Sequence, residues 1–291
     1  MKQIKEQPEE FAVEREDAVL FGRKRGAGPG LLLIHGVACD SDYFEEAAKL
    51  LAKKFTVITY DRRGCSRSRV SEAALKNTAG GNPFALQIQA EDAAAVIRAA
   101  GQQKVFVTGS SAGGVVASRL AALYPELVSG LFLHEPAFRG AEAVAAGMDT
   151  LVKKLREARD TGRMIRALWA FIESMGGVDE RAESKSLQKQ ARDLENLKVF
   201  VQYEMESFFE ADLNLLREIS VPLWIGAGEG SREGLFHRTA AEIAGKLKLP
   251  LIFVPGYHNF PSDLPREFAV TVSGVYDMTV GFDREQDEMK L

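Results

Sequence analysis

The sequence predicts an α/β fold: a largely parallel sheet with helices on both faces, interrupted by an all-helical insertion. Three observations carry this. Short apolar runs bounded by glycine or proline alternate with segments of helical periodicity. Those runs are apolar throughout, as strands buried on both faces must be. One stretch, from about Gly140 to Leu216, breaks the alternation and reads as consecutive helices.

The elements follow in order. Leu31 to His35 is an apolar run ended by Gly36 and suits a buried parallel strand. Asp42 to Lys53 is helical, with Phe44, Ala47, Ala48 and Leu51 on one face. Phe55 to Tyr60, β-branched and aromatic, is the second strand. Phe84 to Ala100 is a helix burying Ile88, Ala93, Val96 and Ile97. Lys104 to Gly109 is the third strand, and Ala112 to Tyr124 is the helix after it, stopped by Pro125. Val128 to His134 is the fourth strand, stopped by Pro136. In the helical block, Met148, Leu151, Val152 and Leu155 recur at i, i+3, i+4, i+7. Ile165, Leu168, Trp169 and Ile172 make a second stripe, and Val201, Met205 and Phe208 a third. Pro222 to Gly226 and Leu249 to Val254 resume the strands, each with a helical segment behind it. The charged tail from Val280 to Leu291 reads as frayed. The chain thus divides into a core of 1–138 and 217–291 and an inserted cap of 139–216.

Composition narrows the function. The 291 residues are 46% hydrophobic and 27% charged, an ordinary balance for a globular protein with a sizeable core. Lysine and arginine total 37 against 41 acidic residues, a net charge of -4, which argues against a nucleic-acid partner. Two cysteines make no disulfide framework and fit a cytoplasmic protein. The opening MKQIKEQPEE lacks the apolar stretch of a signal peptide, and no run approaches a membrane span. No metal-type Cys/His spacing is present, and no cofactor is expected.

The chemistry is concentrated in KVFVTGSSAGG. A strand runs into Gly109-Ser110-Ser111-Ala112-Gly113 and a helix follows, the context a nucleophile elbow requires. A tight strand-to-helix turn strains the central residue and exposes its Oγ. The helix start then offers backbone N–H groups to developing negative charge. Ser111 is therefore the candidate nucleophile, with Ser110 a turn or packing neighbour. The loop His35-Gly36-Val37-Ala38 can complete an oxyanion hole, with the Val37 N–H beside that of Ala112 and Ala38 as the fallback donor. Four histidines occur: His35, His134, His237 and His258. His258 follows the last strand, where ligands of open α/β sheets bind, and is the candidate base. His134 lies in a strand and His237 in a helical stretch, read as structural and surface residues respectively.

Taken together, HGVA, TYDRRG, GSSAGG, LHEP and PGYH resemble the α/β-hydrolase superfamily over roughly Phe11 to Asp277. The resemblance implies an eight-stranded, mostly parallel sheet, a cap entering after the sixth strand near Pro136, and the chain order nucleophile, acid, histidine. The chain departs from the family at the acid: Ser231 occupies the position where many relatives carry Asp. Glu135, at the end of LHEP, is the first replacement, since haloalkane dehalogenases and some lipases of this superfamily take their acid from that strand end. Glu229 and Glu233 are the alternatives.

The remaining motifs have plainer readings. Asp61-Arg62-Arg63-Gly64 reads as a salt-bridged loop brace, and Arg67 and Arg69 as solvated. Cys39 and Cys65 read as buried thiols. Trp169, Phe171, Tyr203, Phe208 and Phe209 suit the cap's own core, with an apolar substrate the sharper possibility. Thr108 to Gly113 also resembles the start of a nucleotide-binding turn, but two α/β units precede it and no tyrosine has a lysine four residues on. Two further readings stay open on this scaffold: a ligand-binding protein with little turnover, favoured by Ser231, and C–C hydrolysis, lysis or perhydrolysis. The leading expectation is a serine hydrolase of small carboxylic esters or related acyl compounds, acting through Ser111, His258 and Glu135 on a small-molecule substrate. Oligomeric state is left open.

Overall fold

A computed structural model describes residues 7–76, 81–140, 144–184, 186–209, 211 and 213–288, with side chains described through Gly281. The chain begins with an antiparallel hairpin, β1 (Glu9–Glu14) and β2 (Ala18–Arg25). Then come β3 (Gly30–Ile34), α1 (Glu45–Leu51), β4 (Thr56–Tyr60), β5 (Arg69–Val70), α2 (Glu72–Lys76) and α3 (Leu86–Ala99). β6 (Val105–Ser110), α4 (Ala112–Leu123) and β7 (Val128–His134) complete the first half. Five helices follow β7: α5 (Ala145–Asp160), α6 (Met164–Ser174), α7 (Leu187–Val199), α8 (Met205–Phe209) and α9 (Asn214–Arg217). A π-helical turn, Phe200–Glu204, joins α7 to α8. The sheet then resumes with β8 (Leu223–Gly228), α10 (Leu235–Leu247), β9 (Leu251–Val254), α11 (Phe260–Asp263) and α12 (Pro265–Glu288).

The sheet order is β1-β2-β4-β3-β6-β7-β8-β9, eight strands in one path, with the two-residue β5 pairing β2 outside it. From β4 to β9 every neighbouring pair is parallel. The central strands β3, β4 and β6 are buried at every position, which is why their sequences are largely apolar, with Thr56, Thr59, Thr108 and Ser110 the polar exceptions. Helices cover both faces. Phe44, Leu51, Phe268 and Val272 pack one face through α1 and α12, and Val96, Ile97, Val115 and Leu120 pack the other through α3 and α4. Parallel strands bring the carboxyl ends of β3, β6, β7, β8 and β9 to one edge, where the chemistry of open α/β sheets collects.

Four features differ from the sequence-based expectation. The hairpin β1–β2 has no counterpart among the predicted runs. It is antiparallel and wet on one side, so its pattern alternates, with Leu20 buried and Val19 exposed, and Arg23, Lys24 and Arg25 dilute the apolar signal. In α6 the buried residues are Ala167, Ala170 and Phe171, while Ile165 and Trp169 stand 55% and 59% exposed. Of the predicted stripe, Ile165 and Trp169 therefore face outward while Leu168 and Ile172 are half-buried. The tail is not frayed from Val280: α12 continues to Glu288, and residues 289–291 lie outside the described set. Ile88, expected inside, is half-buried. Among the described residues no helix is long and apolar enough to cross a membrane.

Candidate active site

Ser111 sits at the tip of the β6–α4 turn with φ 55° and ψ -124°. A non-glycine residue in that region is strained, and the surroundings hold it there. Its N–H donates to His134 O at 3.0 Å, and its carbonyl accepts from Ala137 N at 3.1 Å. The flanking glycines are required by close approach: a Cβ on Gly113 would lie 2.1 Å from Ile34 O, and one on Gly109 2.4 Å from Gly113 O. The G-x-S-x-G spacing is thus the imprint of a strand and helix packed backbone to backbone. Ser111 is 7% exposed, enough to meet a small molecule and little else.

Glu135 follows β7 directly, with φ 41°, another strained position. Its carboxylate is fully buried and accepts three hydrogen bonds. The Gly228 N–H donates at 2.9 Å, the Ser231 hydroxyl donates to the same oxygen, and His258 Nδ1 donates to the other at 2.6 Å. Burial alone would raise the carboxyl pKa; the bond from His258 and its charge, with help from His134 and Ser231, pull it down to about 2. Glu135 is therefore ionised at neutral pH. Its grip on Nδ1 fixes the tautomer of His258, leaving Nε2 as the proton acceptor. The Phe236 ring stacks on the imidazole, centroids 4.4 Å apart. Ser231, which stands at the position where the family resemblance led one to expect Asp, serves Glu135 as a donor. Glu229 and Glu233 are exposed.

Ser111 and His258 line one small cavity together with Gly36, Val37, Ala38, Cys39, Tyr43 and Ser110. Leu168, Phe171, Met175 and Leu197 close it from the helices between β7 and β8. The loop bearing Val37 runs against Ser111: a Cβ on Gly36 would lie 2.9 Å from Ser111 Cβ. Ala38 turns that loop with φ 57°. Ala112 is the first residue of α4, so its N–H has no acceptor within the helix and stays available to a ligand. Ala38, Ser111 and Glu135 are three of the five non-glycine residues with positive φ among those described, so backbone strain gathers here.

His35 and Arg62 buttress the loop from behind. His35 Nδ1 lies 2.9 Å from Gly36 O, an acceptor, so Nδ1 carries the proton, and Nε2 accepts from Arg62 N at 3.0 Å. Burial and the Arg62 charge push the His35 pKa down to about 4, which keeps the ring neutral. The Arg62 guanidinium reaches Gly36 O at 3.3 Å, Gln89 Oε1 at 2.6 Å and both oxygens of Glu204 at 2.9 and 3.0 Å. Glu204 belongs to the π-helical turn, a helix defect that often marks a functional constraint.

The other sequence candidates resolve simply. Asp61 pairs with Arg67, and Arg63 pairs with Asp92 at 2.6 Å, a braced loop in both cases. Arg67 is held by Asp61 and Asp42, and Arg69 is exposed. Cys39 and Cys65 are buried thiols rather than a disulfide. Phe171, Phe208 and Phe209 pack around Phe200. His237 is not a surface residue: it is buried, its Nδ1 donates to Gly228 O at 2.8 Å, and it lies 3.9 Å from Glu135. His134 is buried and kept neutral by burial, its pKa lowered to about 4. Ser231, His237 and the Arg62–Glu204 pair were missed as site residues, because each acts through folding partners distant in sequence. Among the described residues no group of three or more His, Cys, Asp and Glu side chains could hold a metal ion.

Comparison with known proteins gives this geometry a setting. A family model described as alpha/beta hydrolase fold matches residues 29–218. The chain is similar to YraK, an uncharacterised hydrolase of Bacillus subtilis, with 30% identity over 257 residues, 84% of this chain and 88% of that protein. It is also similar to 2-(acetamidomethylene)succinate hydrolase of Mesorhizobium japonicum, at 26% identity over 85% of this chain and 87% of that one. Among solved structures, a thermophilic esterase from Thermogutta terrifontis with malate bound matches with a TM-score of 0.71 at 18% identity, covering 94% of this chain and 99% of that one. At that identity the likeness speaks for the fold.

Proposed function

The chain is a hydrolase of the alpha/beta hydrolase fold family, and from that premise we propose that it cleaves small carboxylic esters or related acyl compounds through an acyl-enzyme on Ser111. The observation that carries this reading is the 2.6 Å bond from His258 Nδ1 to an ionised, buried Glu135, with His258 and Ser111 lining the same cavity. In this reading Nε2 of His258 takes the Ser111 proton as Oγ attacks the acyl carbonyl. The negative charge that forms on the carbonyl oxygen is met by the N–H groups of Ala112 and Val37, donors of a kind worth about 10²- to 10³-fold in rate. His258 then returns the proton to the leaving alcohol and activates the water that releases the acid. Glu135 stabilises the imidazolium in both halves of the cycle.

The core of 1–138 and 217–291 carries this chemistry, and 139–216 acts as the cap that covers it. The cycle needs no cofactor, and its partner is a small molecule. Two buried thiols support a cytoplasmic location. The ligand-binding reading drew its weight from the serine at 231; the Ser231 hydroxyl donating to Glu135 supports the hydrolytic reading over it. The test is Ser111→Ala, assayed with p-nitrophenyl acetate. Turnover should fall by at least about 10⁴-fold with the fold intact. Full activity in the alanine variant would end this reading.

A further inference from the structure

The cavity at Ser111 deepens that reading and rests on it: we infer that the acyl group it accepts is short and uncharged, of acetyl to propionyl size. The cavity volume is about 40 Å³. That is room for about three waters at roughly 10–15 Å³ each, or a two- to three-carbon acyl group. The acyl group is what stays bonded to Ser111 after the alcohol departs. It is therefore the part the cavity must hold while water arrives.

The walls set both limits. Val37, Ala38, Leu168, Phe171, Met175 and Leu197 are apolar, and no Lys, Arg, Asp or Glu is among the lining residues described. An acyl group carrying a carboxylate would lose its hydration there with no cation to replace it. Size is limited by Phe171. Its ring packs edge-on against Phe200, centroids 5.8 Å apart, and Phe200 in turn packs on Phe208 and Phe209. A longer chain must displace an aromatic that is 5% exposed and packed against Phe200, which two further rings back. A wall of this kind discriminates by about 10- to 200-fold per misfitting methylene or methyl.

The test holds the leaving group constant and varies the acyl group. Rates are measured with p-nitrophenyl acetate, propionate, butyrate, hexanoate and the p-nitrophenyl monoester of succinic acid. The value of kcat/KM should fall about tenfold or more from propionate to butyrate and further at hexanoate. The succinate monoester should lie at least about 100-fold below butyrate, which is of similar length. Phe171→Ala should raise hexanoate relative to acetate by at least about tenfold, and Leu168→Ala, on the same helix but half-buried, gives the same readout if the first variant folds poorly. A flat or rising chain-length profile, a well-used succinate ester, or a profile unmoved in a folded variant would overturn the inference while leaving a serine hydrolase in place. The two failures separate by mass spectrometry after a fluorophosphonate probe. An adduct on Ser111 with a flat profile removes only the size limit, whereas no adduct on folded protein removes the reading beneath it as well.

Discussion

Two carboxylates, Glu135 in the core and Glu204 in the inserted helices, are both fully buried and both paired, yet they are driven in opposite directions. Burial opposes ionisation in each. Glu135 gathers a backbone N–H, a hydroxyl and an imidazole, and its pKa falls to about 2. Glu204 has the Arg62 guanidinium and the Gln89 amide, and its pKa is still raised, because burial outweighs them. Arg62 also divides its N–H groups among Gln89 and Gly36 O, and its Nε has no partner among the described residues. At Glu135 the bond and charge of His258, with the His134 charge and the Ser231 hydroxyl, outweigh burial, whereas at Glu204 burial outweighs Arg62 and Gln89. Glu135 is therefore held ionised against His258. The Glu204 site joins the inserted helices to the loop behind Val37, which needs shape more than charge.

The largest expected contrast is in catalysis. Glu135→Gln should lose about 10⁴-fold in kcat, the loss known when a triad acid is made neutral. Glu204→Gln should lose at most about tenfold and show its effect mainly in KM or thermal stability. Equal losses would mean that both carboxylates serve the reaction, or neither. Breaking the second pair should appear in stability: Arg62→Met leaves Glu204 buried without its cation, and chemical denaturation should report a loss of about 3–5 kcal/mol. The double variant Arg62→Met with Glu204→Leu should recover most of it. No recovery would mean that the two side chains act independently.

Acid titration should split the pair by sign. Glu135 titrates near 2 in the folded chain against an ordinary 4.5, so its stabilisation, on the order of 3 kcal/mol, is whole above about pH 4.5 and is lost as pH falls through 2. Glu204 titrates above 4.5, so its ionisation costs stability at higher pH, and the cost is relieved as pH falls. Urea unfolding at pH 6 and pH 3 should show the wild type losing ground to Glu135→Gln and gaining it on Glu204→Gln. Movement in the same direction for both variants would refute the contrast. The smallest effect belongs to Ser231→Ala, which removes one of three donors to Glu135 and should cost about tenfold in kcat. No change would leave Ser231 as packing alone.

Most of this was legible where chemistry and backbone geometry coincide in a short segment. Gly109 and Gly113 sit where strand and helix touch, so the elbow shows in KVFVTGSSAGG itself. The strand from Val128 could be read because all but one of its positions are buried, and the one in the Leu249 segment because Leu251, Ile252, Phe253 and Val254 are apolar although all but Val254 are partly exposed at the sheet edge. The hairpin Glu9–Arg25 could not, because Arg23, Lys24 and Arg25 follow one another at the end of β2 and break the run. The predicted stripe of α6 misled in part: Phe171 is drawn inward to the cavity and its aromatic neighbours, which leaves Ile165 and Trp169 outside. Glu135 was legible as a candidate by its place after a strand end. Its choice over Glu229 and Glu233 depends on three donors that arrive from β8 and the loops after β8 and β9, and no local pattern announces them.

The decisive measurement is the rate at which a fluorophosphonate phosphonylates the wild type, Glu135→Gln and Glu229→Gln, with mass spectrometry locating the adduct. Modification of Ser111 at a rate that collapses in Glu135→Gln and is unchanged in Glu229→Gln is the predicted result. An adduct elsewhere, or a rate that depends on Glu229 and ignores Glu135, would contradict the assignment of Ser111, His258 and Glu135 as one catalytic unit.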